Sequence, residues 1–139
     1  MRCDHSFVRH ASVVLLAALA LGAAACGGRA RSDRDQVAAA VKAFGDATAT
    51  KDYARLCGEI LAQELVTRIQ KAGLTCRDAL RTGLEGVRDP QLTLGSISIE
   101  GERATADVRT SAAGQPPSND HLRLVREGGR WRIASLAAP

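Results

Sequence analysis

The chain has 139 residues, with 19 basic against 15 acidic side chains and a net charge of +4. That length suits one small domain rather than two. Its basic residues are interspersed and only 3% of its residues are aromatic, so nucleic-acid binding lacks both the electrostatic footprint and the stacking platforms it needs.

The first 28 residues read as an export signal. Arg2 and Arg9 precede the apolar run Ala11 to Ala25, and Cys26-Gly27-Gly28 follows. A positive start, a short apolar stretch and small residues before the cut mark a secretory signal peptide. The run is too short to cross a bilayer comfortably, which takes about 20 residues. Ala23-Ala24-Ala25-Cys26 is similar to a bacterial lipobox, in which the cysteine is lipidated and becomes the mature N-terminus. Its first position holds Ala where a large aliphatic is usual. The same residues satisfy the A-x-A rule for ordinary cleavage, which would release a secreted protein. The expectation is lipidation at Cys26, anchoring the chain on the extracytoplasmic face of the cell membrane, with secretion as the alternative. Two acyl chains at roughly 0.8 kcal/mol per buried CH₂ hold a domain stably. Residues 1–25 are then the signal, 26–32 a lipidated tether and 33–139 the domain. Removing the signal takes away Arg2, Arg9 and Asp4, which lowers the net charge from +4 to +3.

Four helical segments come next. Ser32 or Asp33 can cap the first, with Gln36 three residues after Asp33 in a capping-box-like arrangement. Val37, Val41 and Phe44 repeat at helical spacing, extended by Ala40 and Ala47, so this helix should lie across a sheet. Asp52 can cap a short second helix with Tyr53, Leu56 and Cys57. Ile60, Leu61, Leu65, Val66 and Ile69 form a third stripe that stops near Gly73. Thr75 can cap a fourth segment carrying Cys76, Ala79, Leu80 and Leu84.

Cys57 and Cys76 remain once Cys3 leaves with the signal and Cys26 takes the lipid. In an exported domain such a pair is most simply a disulfide. The spacing is not C-x-x-C, and no histidine lies close by in sequence to complete a zinc site. A closed loop of about 20 residues contributes roughly 3 kcal/mol. One straight helix over residues 53–72 would leave Cys57 about 22 Å from Ala72. Cys76 would then have four residues in which to return to a Cα separation of about 6 Å. A break is therefore expected near Gly58 to Ala62, with Gly58 supplying the freedom.

After Asp89-Pro90 the apolar period changes to 2. Leu92 and Leu94, then Ile97 and Ile99, alternate with a phase shift at Gly95-Ser96 that suggests a bulge. Glu100-Gly101-Glu102 turns into Ala104, Ala106 and Val108, while Asp107 faces the other way beside Arg109. Ala112 to Asn119, with Gly114 and Pro116-Pro117, reads as a loop. His121 to Arg126 is a third strand, turned by Gly128-Gly129 into Trp131 to Leu136. Helices first and an antiparallel meander second make an α+β domain, with N-terminal helices packed on one face of the sheet.

That order, closed by Glu127-Gly128-Gly129-Arg130-Trp131-Arg132-Ile133, resembles the nuclear transport factor 2-like superfamily, also called ketosteroid isomerase-like or polyketide cyclase-like. It looks like the exported, lipid-anchored members common in actinobacteria. Those carry a Val-Lys-Ala-Phe helix, an Asp-Tyr-Ala segment with a cysteine, and a second cysteine opening the next helix. Here these are Val41 to Phe44, Asp52 to Cys57, and Cys76. The resemblance covers about residues 33 to 137. It implies a curved antiparallel sheet wrapped around helices as a cone with an internal cavity. Enzymes of the superfamily set a carboxylate base and acid or Tyr donors inside the cone, but no motif carries those residues onto this chain.

No catalytic residue, metal ligand or cofactor is therefore assigned. Phe44, Tyr53 and Trp131 are candidates to line the cavity, Tyr53 as an oxyanion-type hydrogen-bond donor; the plainer roles are core for Phe44 and Trp131, and a half-buried anchor of the second helix for Tyr53. Asp107 reads as solvated or paired across strands, and His121 as a polar residue at a strand edge. The leading expectation is a non-enzymatic cell-envelope lipoprotein that binds a small apolar ligand or a protein partner, with a homodimer among its options. One alternative is an isomerase- or cyclase-like enzyme with a carboxylate in the cone. Another is a purely structural interaction module.

Overall fold

Ser32 opens the first helix. Its Oγ accepts the Asp35 N–H at 3.2 Å, and Asp33 and Asp35 place negative charge in the first turn, where the helix dipole favours it. In the computed structural model, which describes residues 31–137, this helix α1 spans Asp33–Ala49. The expected signal, Cys26 and residues 27–30 of the tether lie outside the described residues. Gln36 does not complete a capping box; its side chain donates to the Arg31 carbonyl at 2.8 Å. Val37, Val41, Phe44 and Ala47 form the buried stripe, which packs on the sheet. Lys51, at φ 53°, ends the helix with a left-handed residue.

Asp52 accepts the Arg55 N–H at 3.0 Å and starts α2, Tyr53–Arg55. The chain continues as a π-helical turn, Leu56–Ile60, closed by Leu61 N–H donating to the Leu56 carbonyl at 2.9 Å. Leu61 and Ala62 are extended, and α3 follows over Gln63–Lys71. The break thus falls inside the expected window, but Gly58 does not cause it. Leu61 bridges Ile133 in parallel and Ala62 N–H donates to the Ile133 carbonyl at 2.8 Å, so strand pairing draws these two residues out of the helix. Thr75 caps α4, Cys76–Gly83, accepting the Asp78 N–H at 3.1 Å. Cys57 and Cys76 form a disulfide with a Cα separation of 6.0 Å.

Four strands form one antiparallel sheet in chain order: β1 Gln91–Glu100, β2 Arg103–Ala112, β3 Gln115–Glu127 and β4 Arg130–Ala137. Each ladder carries a register shift, the first between Leu94 and Ile97. Such irregularities bend strands and curve the sheet. A Cβ on Gly95 would lie 3.2 Å from the Asp107 carbonyl oxygen, so the bulge takes glycine for close approach. Ala104, Ala106, Val108, Leu122, Leu124 and Ile133 point inward to the helices and are buried. Gly128 and Gly129, both at positive φ, make the tight turn into β4.

Residues 112–119 differ from expectation. They are not a loop: β2 and β3 run almost to the tip of a hairpin turned at Ala113-Gly114. Pro116 and Pro117 lie beyond His121↔Ala137, the outermost β3–β4 pair among the described residues, on a stretch of β3 that pairs with β2 alone among them. On the β2 side the register shifts beside them, between Thr110 and Ala112.

The Glu127–Ile133 motif clasps the broken helix. Glu127 Oε2 accepts the Gln63 N–H at 3.1 Å, opening α3. Arg132 Nη1 donates to the Gly58 carbonyl at 3.3 Å, satisfying an oxygen that the end of the π-turn leaves over.

Candidate functional site

The C-terminal half of α1, the 84–90 connection and the adjoining ends of β1, β2 and β3 enclose a cleft of about 190 Å³ on the inner side of the sheet. Ala113 N–H donates to the Arg88 carbonyl at 2.8 Å, which ties the connection to the β2–β3 hairpin. Phe44, Leu84, Val87, Pro90 and Leu92 supply apolar walls. Gln91, Thr110, Ser111, Gln115 and Ser118 supply polar ones, and no charged side chain among the described residues lines the cleft.

Two of its hydroxyls are fixed. Thr110 and Ser118 donate to the same Asp120 oxygen at 2.8 and 2.7 Å and lie 2.9 Å from each other. A third differs: Thr48 Oγ1 is buried and has no hydrogen-bond partner among the described residues. An unmade hydrogen bond at a buried hydroxyl costs about 1–3 kcal/mol, and this one sits on a residue of the cleft wall. The volume equals that of about six liquid waters and falls below the roughly 300–1,000 Å³ of a drug-sized pocket. The arrangement suits a small neutral molecule, mostly apolar, with one hydrogen-bonding group.

The residues singled out in the sequence separate in space. Phe44 belongs to both the core and the cleft wall. Tyr53 lines a different surface concavity, with Lys51 and Arg81. Trp131 is buried in the core beneath the Arg126 guanidinium, 4.8 Å from its ring centroid. Arg126 in turn pairs with Asp33 at 2.5 Å, joining β3 to the start of α1. Asp107 and His121 oppose each other on the outer face of the sheet, Oδ1 to Nδ1 at 2.6 Å, and the other Asp107 oxygen accepts from the Ser96 hydroxyl. The Ser96 hydrogen bond first, then His121, hold the Asp107 carboxyl below the usual carboxylate range. A carboxyl kept neutral in a cavity would shift the other way.

Thr48, Thr110 and Ser118 were not singled out. Thr48 had a legible signal, because it continues the Val37, Val41, Phe44 stripe at helical spacing where an apolar residue would serve the core.

No family model and no curated protein matches the chain. Solved structures do. A SEC-C motif containing protein from Rhodopseudomonas palustris is 22% identical with a TM-score of 0.55, covering 73% of this chain and 77% of its own. An NTF-2 like protein of unknown function from Silicibacter pomeroyi is 22% identical with a TM-score of 0.53, covering 74% and 91%. Another, from Shewanella baltica, is 15% identical with a TM-score of 0.54, covering 77% and 94%. With its leading helices laid on one face of a bent four-stranded meander, the chain has the nuclear transport factor 2-like fold.

Proposed function

We propose that the protein is a cell-envelope lipoprotein, anchored through Cys26, whose domain binds a small, neutral, mostly apolar ligand without transforming it. One observation carries the ligand reading: a cleft with no charged side chain among the described residues, lined by Thr48, whose buried hydroxyl has no hydrogen-bond partner among them. Binding is favoured over the isomerase- or cyclase-like alternative because no carboxylate lines that cleft, and such chemistry needs one beside the substrate. The anchor rests on the Ala23-Ala24-Ala25-Cys26 sequence, and the disulfide suits an oxidising compartment.

Cyclohexanol and methylcyclohexane serve as probes, followed by backbone and methyl chemical shifts. Saturable shifts at Phe44, Thr48 and Leu92 are expected with both. Thr48→Val should weaken cyclohexanol by about tenfold, the worth of one hydrogen bond, and leave methylcyclohexane unchanged. The same variant should melt no lower than the parent, since it removes an unsatisfied hydroxyl. Absence of saturable shifts sinks the ligand reading. For the anchor, the protein is taken from its own membrane fraction for intact mass. A chain starting at Cys26 with an acylated glyceryl group is expected; an unmodified chain in the medium overturns it.

A further inference from the structure

The outer side of the sheet holds a second concavity of different chemistry. It is a trough of about 350 Å³ where α3 passes the sheet, and Arg68, Arg103 and Arg123 meet there with Thr105 and Ser135. Three elements contribute one arginine each. Thr105 stands opposite Arg123, and Arg123 opposite Ser135, so a hydroxyl, a guanidinium and a second hydroxyl form a row across β2, β3 and β4. Arg103 opposes Val125, two residues further along β3, which makes it a diagonal neighbour of Arg123 at roughly 7–8 Å.

Arg68 is held from the other side. Its Nη2 donates to the Ala134 carbonyl at 2.8 Å, and Ala134 is the extra residue where the β3–β4 register shifts. The bulge turns an otherwise ladder-bound carbonyl toward α3 and fixes this arginine at the trough wall.

None of the three arginines forms an ion pair among the described residues. Glu64 and Glu100 also line the trough, yet neither is paired with them. The partly buried arginines are paired, Arg126 with Asp33 and Glu102 and Arg132 with Glu127, whereas the three arginines of the trough are exposed. Three guanidiniums outnumber the two carboxylates of the trough, and a bound anion offsets the net positive charge that remains. Guanidinium forks match the geometry of oxyanions, and hydroxyls on either side donate further hydrogen bonds.

We propose that this trough binds a phosphate-type oxyanion, gripped by Arg103 and Arg123 and bordered by Arg68, Thr105 and Ser135. A free phosphate and a phospholipid headgroup present the same chemistry. The site is independent of the cleft on the inner face, and neither its success nor its failure bears on the ligand bound there.

The exported chain carrying Cys26→Ser, which has no acyl anchor of its own, is titrated with inorganic phosphate while amide shifts are followed. It is then mixed with phosphatidylcholine vesicles, with and without phosphatidylglycerol, and sedimented. Saturable phosphate shifts at Thr105, Arg123 and Ser135 are expected if the ligand is soluble. Sedimentation only with phosphatidylglycerol is expected if it is a headgroup. In either case Arg103→Gln with Arg123→Gln should weaken binding by at least about tenfold, since a hydrogen bond to a charged group is worth roughly 1.5–3 kcal/mol. Arg77→Gln with Arg109→Gln removes the same charge from exposed positions outside the trough and should change it by less than about twofold. All four positions are exposed, so both variants should fold. No saturable binding to either probe, or equal loss in both double variants, overturns the proposal.

Discussion

Asp107 shows how a residue of catalytic type can be spent on structure. It lies opposite His121 on adjacent strands, and the β1 bulge brings Ser96 to its second oxygen. Both partners favour the ionised carboxylate, so its folded pKa is depressed. The sign of the linkage follows. A carboxylate with a depressed folded pKa adds stability that is fully present above its unfolded value, near 3.9 for Asp. That contribution is lost as the pH falls through the folded pKa. The Ser96 hydrogen bond is the largest single cause, with the His121 hydrogen bond and charge acting in the same direction. Ser96→Ala should therefore raise the Asp107 pKa toward the ordinary value, as read from the carboxyl carbon shift in an NMR titration. An unchanged pKa in that variant would show that the hydroxyl does not hold the carboxylate. Thr48 is the converse case, a hydroxyl that structure leaves unspent on a stripe otherwise made of Val37, Val41 and Phe44.

At the scale of elements, the weak point is the joint between the π-turn and α3, where two residues leave the helix. Two devices hold it: the Cys57–Cys76 disulfide, and the Glu127–Ile133 clasp through Arg132 and Ile133. Cys57→Ser with Cys76→Ser should cost roughly 3 kcal/mol in a urea melt, from the freed loop of the unfolded chain. Arg132→Met keeps the aliphatic stem and loses the carbonyl contacts, for about 1 kcal/mol; a larger loss than the disulfide's would reverse their ranking. The joint also marks what could be read from residues alone. Helix caps at Asp52 and Thr75, the bulge at Gly95-Ser96 and the Gly128-Gly129 turn were legible because each depends on neighbours within a few residues. The cause of the break was not, because Ile133 lies about 70 residues away in sequence. Pro116-Pro117 misled for the same kind of reason. Proline argues against a strand unless its missing N–H faces no partner, and which stretch of β3 pairs with β4 is a property of the assembled sheet. The cleft was legible only through Phe44, since its other walls come from segments that meet after folding.

On the scale of the whole molecule, position along α1 separates the proposed anchor from the cleft. Ser32 caps the start of α1, and Thr48 lies sixteen residues further on, about 24 Å at 1.5 Å per residue. Six peptide units between Cys26 and Ser32 extend at most about 21 Å. If Cys26 carries the proposed anchor, the membrane lies within that reach of the start of α1, and the cleft lies toward the far end of that helix. Steric closure of the cleft by the bilayer would require the domain to lie on its side. The prediction is that acylation leaves ligand access unchanged. Cyclohexanol binding, measured on the acylated protein in phosphatidylcholine vesicles and on Cys26→Ser in solution, should agree within about twofold, a difference of roughly 0.4 kcal/mol. Zwitterionic vesicles keep the arginine trough out of this comparison. Loss of binding on the vesicles alone would place the cleft against the membrane and turn the anchor from a tether into a cover.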